Sequence, residues 1–177
     1  MKTSFITLAT LALGAIASAQ SVSYNYDTGA DFSRFKTYKW VEIPGGSKLD
    51  DLTARQLTTA IEAELAKKGL VKVDTNNADL CIGYQVGSSQ QTQINAYSSG
   101  WGMGPGWGGM GMTTATTSTL TIGSLDLDIY EMSNKQLVWR GVATKTIDPG
   151  VKPERRQQNI QRGAVKLLQN YPPKKKS

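Results

Sequence analysis

The sequence predicts an α+β two-layer sandwich, with one antiparallel or mixed β-sheet and two helices packed on one of its faces. Three observations predict it. Residues 119–147 hold two strand-like runs joined by a polar Ser133-Asn134-Lys135 turn. Residues 50–68 carry an apolar stripe at helical spacing, and a second such stripe lies near the C-terminus. Between them the chain reads β-β-α-β-β-loop-β-β-α.

The hairpin is the organising element. Leu125, Leu127 and Ile129 alternate with Asp126, Asp128 and Tyr130, the two-residue period of a half-buried strand. A second run begins at Leu137 and includes Val138, Trp139 and Val142. Leu120 and Ile122 have the opposite parity to Leu125, so a bulge or bend is expected at Gly123-Ser124.

Residues 1–19 are set apart from the fold. Lys2 is followed by an apolar stretch, and Ala17-Ser18-Ala19 fits the small-x-small rule for cleavage before Gln20. The segment reads as a secretory signal peptide, too short for a good membrane span. The expected product is periplasmic or secreted. One domain over 20–173 follows, then a disordered basic tail over 174–177.

In the domain, Val22, Tyr24 and Tyr26 alternate with polar residues as a first strand. Phe32 and Phe35 share a face if one helical turn lies between them. Residues 37–43, TYKWVEI, form a second strand, stopped by Pro44-Gly45-Gly46. Ala54, Leu57, Ile61 and Leu65 form the stripe of the first helix, with Asp50 and Asp51 at its start and Lys67 and Lys68 at its end. Gly69 stands where a left-handed C-terminal cap is needed. A short strand over 70–73 and a longer one over 78–86 follow, the latter with Leu80, Ile82, Tyr84 and Val86 on one face. Pro153 opens the second helix, whose stripe is Ile160, Ala164, Leu167, Leu168 and Tyr171.

Composition changes over 87–118, which is rich in Gly, Ser, Thr and Gln. This segment is expected as a loop, its middle, 98–112, reading as a long mobile stretch inserted between two strands. Its aromatic and thioether residues, Trp101, Met103, Trp107, Met110 and Met112, are the candidate partner-binding residues. The bland alternative is a spacer. Three Met could also ligate Cu(I), a soft cation.

The chain has no His, which excludes Ser-His and Cys-His nucleophilic systems and His metal sites. No catalytic set, cofactor site or metal site is assigned. Asp126 and Asp128 share a strand face, so an acid/base pair in a cell-wall hydrolase is the enzymatic alternative. Their simpler reading is the solvated face of a hairpin. Trp139 is expected in or beside the core, and Arg140 in a cross-strand ion pair with Asp126 or Asp128. Cys81 is the only cysteine, which rules out an intramolecular disulfide, and it reads as a small buried hydrophobe. The formal charge is +6 and the pI about 9.4. Part of that excess is Lys174, Lys175 and Lys176, which suit weak contact with an anionic surface rather than nucleic acid.

Four segments, YDTGADFSRFKTYKW, ADLCIGY, LVWRG and NYPP, stand in this order along the chain. Together they resemble a bacterial envelope family, the domain of unknown function 4136, with lipoprotein-like members. The resemblance spans nearly all of 24–173. It implies an exported protein without an assigned activity. Gln20 stands where a lipidated member has Cys, and Ser133-Asn134-Lys135 replaces the family's Thr-Gly type of turn, with Asn134 expected to take the left-handed conformation.

Overall fold

The computed structural model describes residues 20–45, 47, 49–98 and 113–174. The signal-like segment, Lys175 and Lys176 lie outside them. Six strands form one mixed sheet in the order β1-β6-β5-β4-β2-β3. The strands are β1 (Ser21–Tyr26), β2 (Thr37–Trp40), β3 (Val71–Lys72), β4 (Leu80–Ser98), β5 (Thr113–Glu131) and β6 (Leu137–Thr146), with helices α1 (Asp51–Lys67) and α2 (Pro153–Leu167). Along β1-β6-β5-β4 each strand runs antiparallel to the next, whereas β2 pairs parallel with both β4 and β3. This is the α+β sandwich the sequence predicts.

Helix α1 forms where its caps and stripe coincide. Asp50 accepts a hydrogen bond from the Thr53 amide at 3.0 Å, and Leu57, Ala60, Ile61 and Leu65 are buried. Gly69 ends the helix at φ +82. That conformation costs L-residues about 1 kcal/mol or more. The chain then turns back, and β3 lies parallel to β2, so β2-α1-β3 is a βαβ unit. Asp79 fastens the start of β4 to β2. Its Oδ2 accepts from the Lys36 and Thr37 amides at 2.8 and 2.9 Å, and from Thr37 Oγ1 at 3.0 Å.

One face of the sheet meets both helices. Tyr38, Leu80, Ile82, Leu127, Ile129 and Trp139 point into the core against Leu57, Ile61, Leu65, Ala164, Leu167 and Leu168. The turn at Phe32–Arg34 brings Phe32 edge-on to both Phe35 and Tyr171, with ring centroids 6.0 and 5.9 Å apart. Burial raises the Tyr171 phenol well above its ordinary pKa.

Several expectations are corrected. No bulge interrupts β5 at Gly123-Ser124, since its register with β4 is regular there. The irregularity lies between Ile129 and Tyr130 against β6, where Ile129 faces Trp139 but Tyr130 faces Leu137. Val138 is therefore the extra residue, and both Val138 and Trp139 are buried. A regular strand would have sent one of them outward. In the β5–β6 turn Lys135, not Asn134, takes the positive φ of 57. Asn134 instead accepts from the Gln136 amide at 3.0 Å and steadies the turn through its side chain. The loop expected over 87–118 is strand on both flanks, because β4 continues to Ser98 and β5 begins at Thr113.

Candidate partner-binding ribbon

The β4–β5 pair is the longest feature of the fold. Its register runs unbroken from Leu80↔Glu131 to Ser98↔Thr113. The strands beside it stop early. β6 reaches only Ile122↔Thr146, and on the other side the last partner of β4 is the isolated bridge Ser47↔Val86. Beyond those points, among the described residues, the two strands pair only with each other, for about 35 Å at the usual rise per residue. They form a two-stranded ribbon projecting from the six-stranded body.

The ribbon forms without the usual amphipathic signal. From Leu80 to Leu125 the sequence contains no Asp, Glu, Lys or Arg. Gln90, Gln91, Thr92, Thr117 and Thr119 are exposed. β-Branched Thr favours the extended backbone, and Thr121 and Thr119 stand opposite Gln90 and Thr92. Sequence reasoning missed this region because alternation of apolar and polar residues is absent. The uncharged run was the available signal.

Trp101, Met103, Trp107, Met110 and Met112 all lie outside the described residues, in the connection joining Ser98 to Thr113. Lys174 is described and exposed just beyond α2.

At the body end the outer face of the sheet, opposite the helices, carries an ion pair. Asp128 faces Arg140 across β5 and β6. The Arg140 guanidinium binds Asp128 in a fork, with Nη2 donating to Oδ2 at 2.6 Å and Nε donating to Oδ1. Tyr130 Oη also donates to Asp128 Oδ2 at 3.2 Å. The Asp128 side chain is 1% exposed and that of Arg140 43%. The expected solvated position for Asp128 is thus corrected: Arg140 and Tyr130 cover it, and opposite it Gly83 on β4 lies beneath Ile43. The hydrogen bond to Asp128 raises the Arg140 pKa, so the guanidinium stays charged. For Tyr130, burial comes first and the Asp128 charge second, and both raise the phenol. An Asp128 held this way is occupied as a structural acceptor. Asp126 stands next to it on the same face, opposite Val142 and Gln85.

Cys81 lies on that outer face, half-buried rather than buried, with Sγ against Met132 Sδ. Burial raises its thiol pKa, which disfavours the reactive thiolate.

A second feature is a hollow of about 360 Å³ beyond the end of β2, lined by Trp40, Ile43, Leu49, Thr58 and Tyr84 among others. Its aromatic walls already pack edge-to-face, with ring centroids 6.2 Å apart. The Trp40 indole N–H donates to Glu62 Oε1 at 2.8 Å, and Glu62 also accepts from Lys72 Nζ at 2.9 Å. These contacts tie β2, α1 and β3 together. Among the described residues no helix is long and apolar enough to cross a membrane, which leaves strands unaddressed.

The fold is shared with solved structures of low sequence identity. A PDZ domain protein from Parabacteroides distasonis superposes with a TM-score of 0.53 at 15% identity, over 89% of this chain and 37% of that one. This chain thus spans little more than a third of that protein. A PelC dodecamer from Paraburkholderia phytofirmans superposes with a TM-score of 0.51 at 14% identity, over 85% of this chain and 95% of that one. At such identities the likeness is one of fold. A search of curated proteins returns no match. The model of one family, described as "Domain of unknown function (DUF4136)", matches residues 22–173 and so takes in every strand but the first residue of β1, both helices and the ribbon; the chain belongs to that family.

Proposed function

We propose that this protein is exported to the bacterial cell envelope and acts there as a non-catalytic binding module, with the β4–β5 ribbon carrying its contact surface away from the body. One observation carries the reading. Two strands stay in register to Ser98↔Thr113 although, among the described residues, neither retains an outer neighbour past Val86 and Ile122. A lone two-stranded ribbon is at best marginally stable in water. A long one whose described side chains add nothing to the core is explained by what it reaches.

Three further points support the reading. The signal-like pattern of residues 1–19 favours export. The buried Asp128–Arg140 fork makes that part of the outer face structural. PelC, similar in fold, is described as a dodecamer, so this architecture is compatible with assembly.

The experiment is a pull-down from envelope extract with the intact protein and with a variant lacking residues 100–112. The variant should fold as the parent does and recover less partner. Equal recovery removes the tip from the contact. The same capture repeated with Gln91→Lys and Thr119→Lys then tests the ribbon strands themselves.

A further inference from the structure

We infer that the two open edges of the ribbon, Gly87–Ser98 of β4 and Thr113–Leu120 of β5, pair with the ribbon of a second copy of this chain. This rests on the binding reading above and names the partner.

A strand edge presents a row of backbone N–H and C=O groups that will pair with another strand unless something prevents it. Folded proteins prevent it with charged side chains, proline, a bulge or a covering segment. Here the described edges have none of these. The strands carry no charge and no proline between Leu80 and Ser98 or between Thr113 and Leu125. The β4–β5 register shows no irregularity along its whole length. Among the described residues no third strand pairs with the outer edge of β4 past Val86 or of β5 before Ile122. A single backbone contact, the Ile147 amide donating to the Thr121 carbonyl at 2.8 Å, marks where β6 leaves. The edges are bare over a length that elsewhere would be a full strand.

Two properties point to a second copy. The edges are complementary, since β4 opens on one side of the ribbon and β5 on the other. One copy's β4 can therefore take the next copy's β5. Such head-to-tail contacts close into a ring when the rotation between copies allows. The side chains also suit one another. Ser88, Ser89, Gln90, Gln91 and Thr92 on β4 and Thr117, Ser118 and Thr119 on β5 are residues of one kind, able to form cross-strand hydrogen bonds without a charge to desolvate. The chain's net charge of +6 opposes association elsewhere, whereas between residues 80 and 125 there is no charge to repel.

The test is sedimentation of the purified protein over a range of concentrations, beside the double variant Gln91→Lys/Thr119→Lys. Both positions are exposed, so the body should keep its circular dichroism. The parent should sediment at a multiple of its 19.2 kDa chain mass, or of the processed chain's mass if the leader is removed, and the variant at the mass of one chain. Hydrogen exchange supplies a second readout. Amides at 88–98 and 113–120 should be protected in the parent and should exchange at least tenfold faster in the variant. A parent that sediments as one chain at every concentration overturns the inference, as does a variant that keeps the parent's mass. A single-chain parent that still captures an envelope protein through the ribbon leaves the binding reading intact and removes self-pairing alone. A single-chain parent that captures nothing removes both.

Discussion

The indole of Trp139 lies across the backbone of Gly141, two residues along the same strand. A Cβ on Gly141 would come within 2.3 Å of Trp139 Cη2 and 2.8 Å of Leu167 Cδ1. Glycine is required here for space, not for an unusual backbone angle. It lets the largest core side chain lie flat on the sheet beneath α2 and meet Tyr171 edge-on, 5.4 Å between ring centroids. Gly141→Ala should destabilise the protein by about 1–3 kcal/mol, the usual cost of overpacking. Pairing it with Trp139→Phe should restore part of the loss. That change also removes the Trp139 Nε1–H, a buried donor without a partner among the described residues. Urea unfolding of the single and double variants checks this. Additive effects would contradict the packing account.

The Asp128–Arg140 fork makes a second prediction. Removing the cation alone leaves a carboxylate that is 1% exposed without its partner. Arg140→Met should cost about 3 kcal/mol, toward the low end for a broken buried pair because Arg140 itself is 43% exposed. Asp128→Leu together with Arg140→Met should cost less than Arg140→Met alone. Thermal denaturation of the three proteins measures this, and a double variant worse than the single would contradict it.

Gly69 is a different kind of glycine. Nothing lies within 4 Å of where its Cβ would be, yet its φ is +82. The penalty there comes from the backbone alone. Gly69→Val should cost about 1 kcal/mol or more, and Gly69→Asn distinctly less, since Asn tolerates the left-handed region. Equal losses in urea unfolding would place the cost elsewhere.

Asp79 links stability to pH. The Lys36 amide, then Thr37, hold its carboxyl below the ordinary range. A folded pKa below the unfolded one means a contribution fully present at neutral pH. It is lost as pH falls below about 4, the unfolded value, and through the folded value. The Tm advantage of the parent over Asp79→Asn should therefore be largest near pH 7 and shrink steadily below pH 4. A constant difference down to pH 2.5 would show that the carboxylate charge is not what fastens β4 to β2.

How much of this was legible in the sequence depended on whether the determinant was local. The stripe of Leu57, Ile61 and Leu65, the cap at Gly69 and the alternation at Leu127 and Ile129 are all set within a few residues of the chain. The ion pair of Arg140 was legible as a cross-strand possibility, because Asp126 and Asp128 share one face of the facing strand. The burial of Asp128 was not. Alternation assigns a side chain to a face, but whether that face is covered depends on Arg140, Tyr130 and the Ile43 segment arriving from elsewhere. The shift of the bulge from Gly123 to Val138 has the same origin. The parity change at Leu120 and Ile122 reflects apolar residues on the outer face, whereas the real irregularity answers to packing of Val138 and Trp139. The ribbon was hidden for the converse reason. Thr- and Gln-rich runs become strands by pairing with each other, and that pairing is non-local. The five Trp and Met residues named from the sequence lie in the connection beyond it, so what the structure adds is the ribbon leading to them.

The most direct test of the central claim is site-specific crosslinking in the native envelope, with one photoreactive residue at Gln91 on the ribbon and one at Gln157 on the exposed side of α2. The binding account predicts discrete higher-mass adducts from position 91 and none from position 157. Adducts from 157 alone, or equal adducts from both, would contradict it.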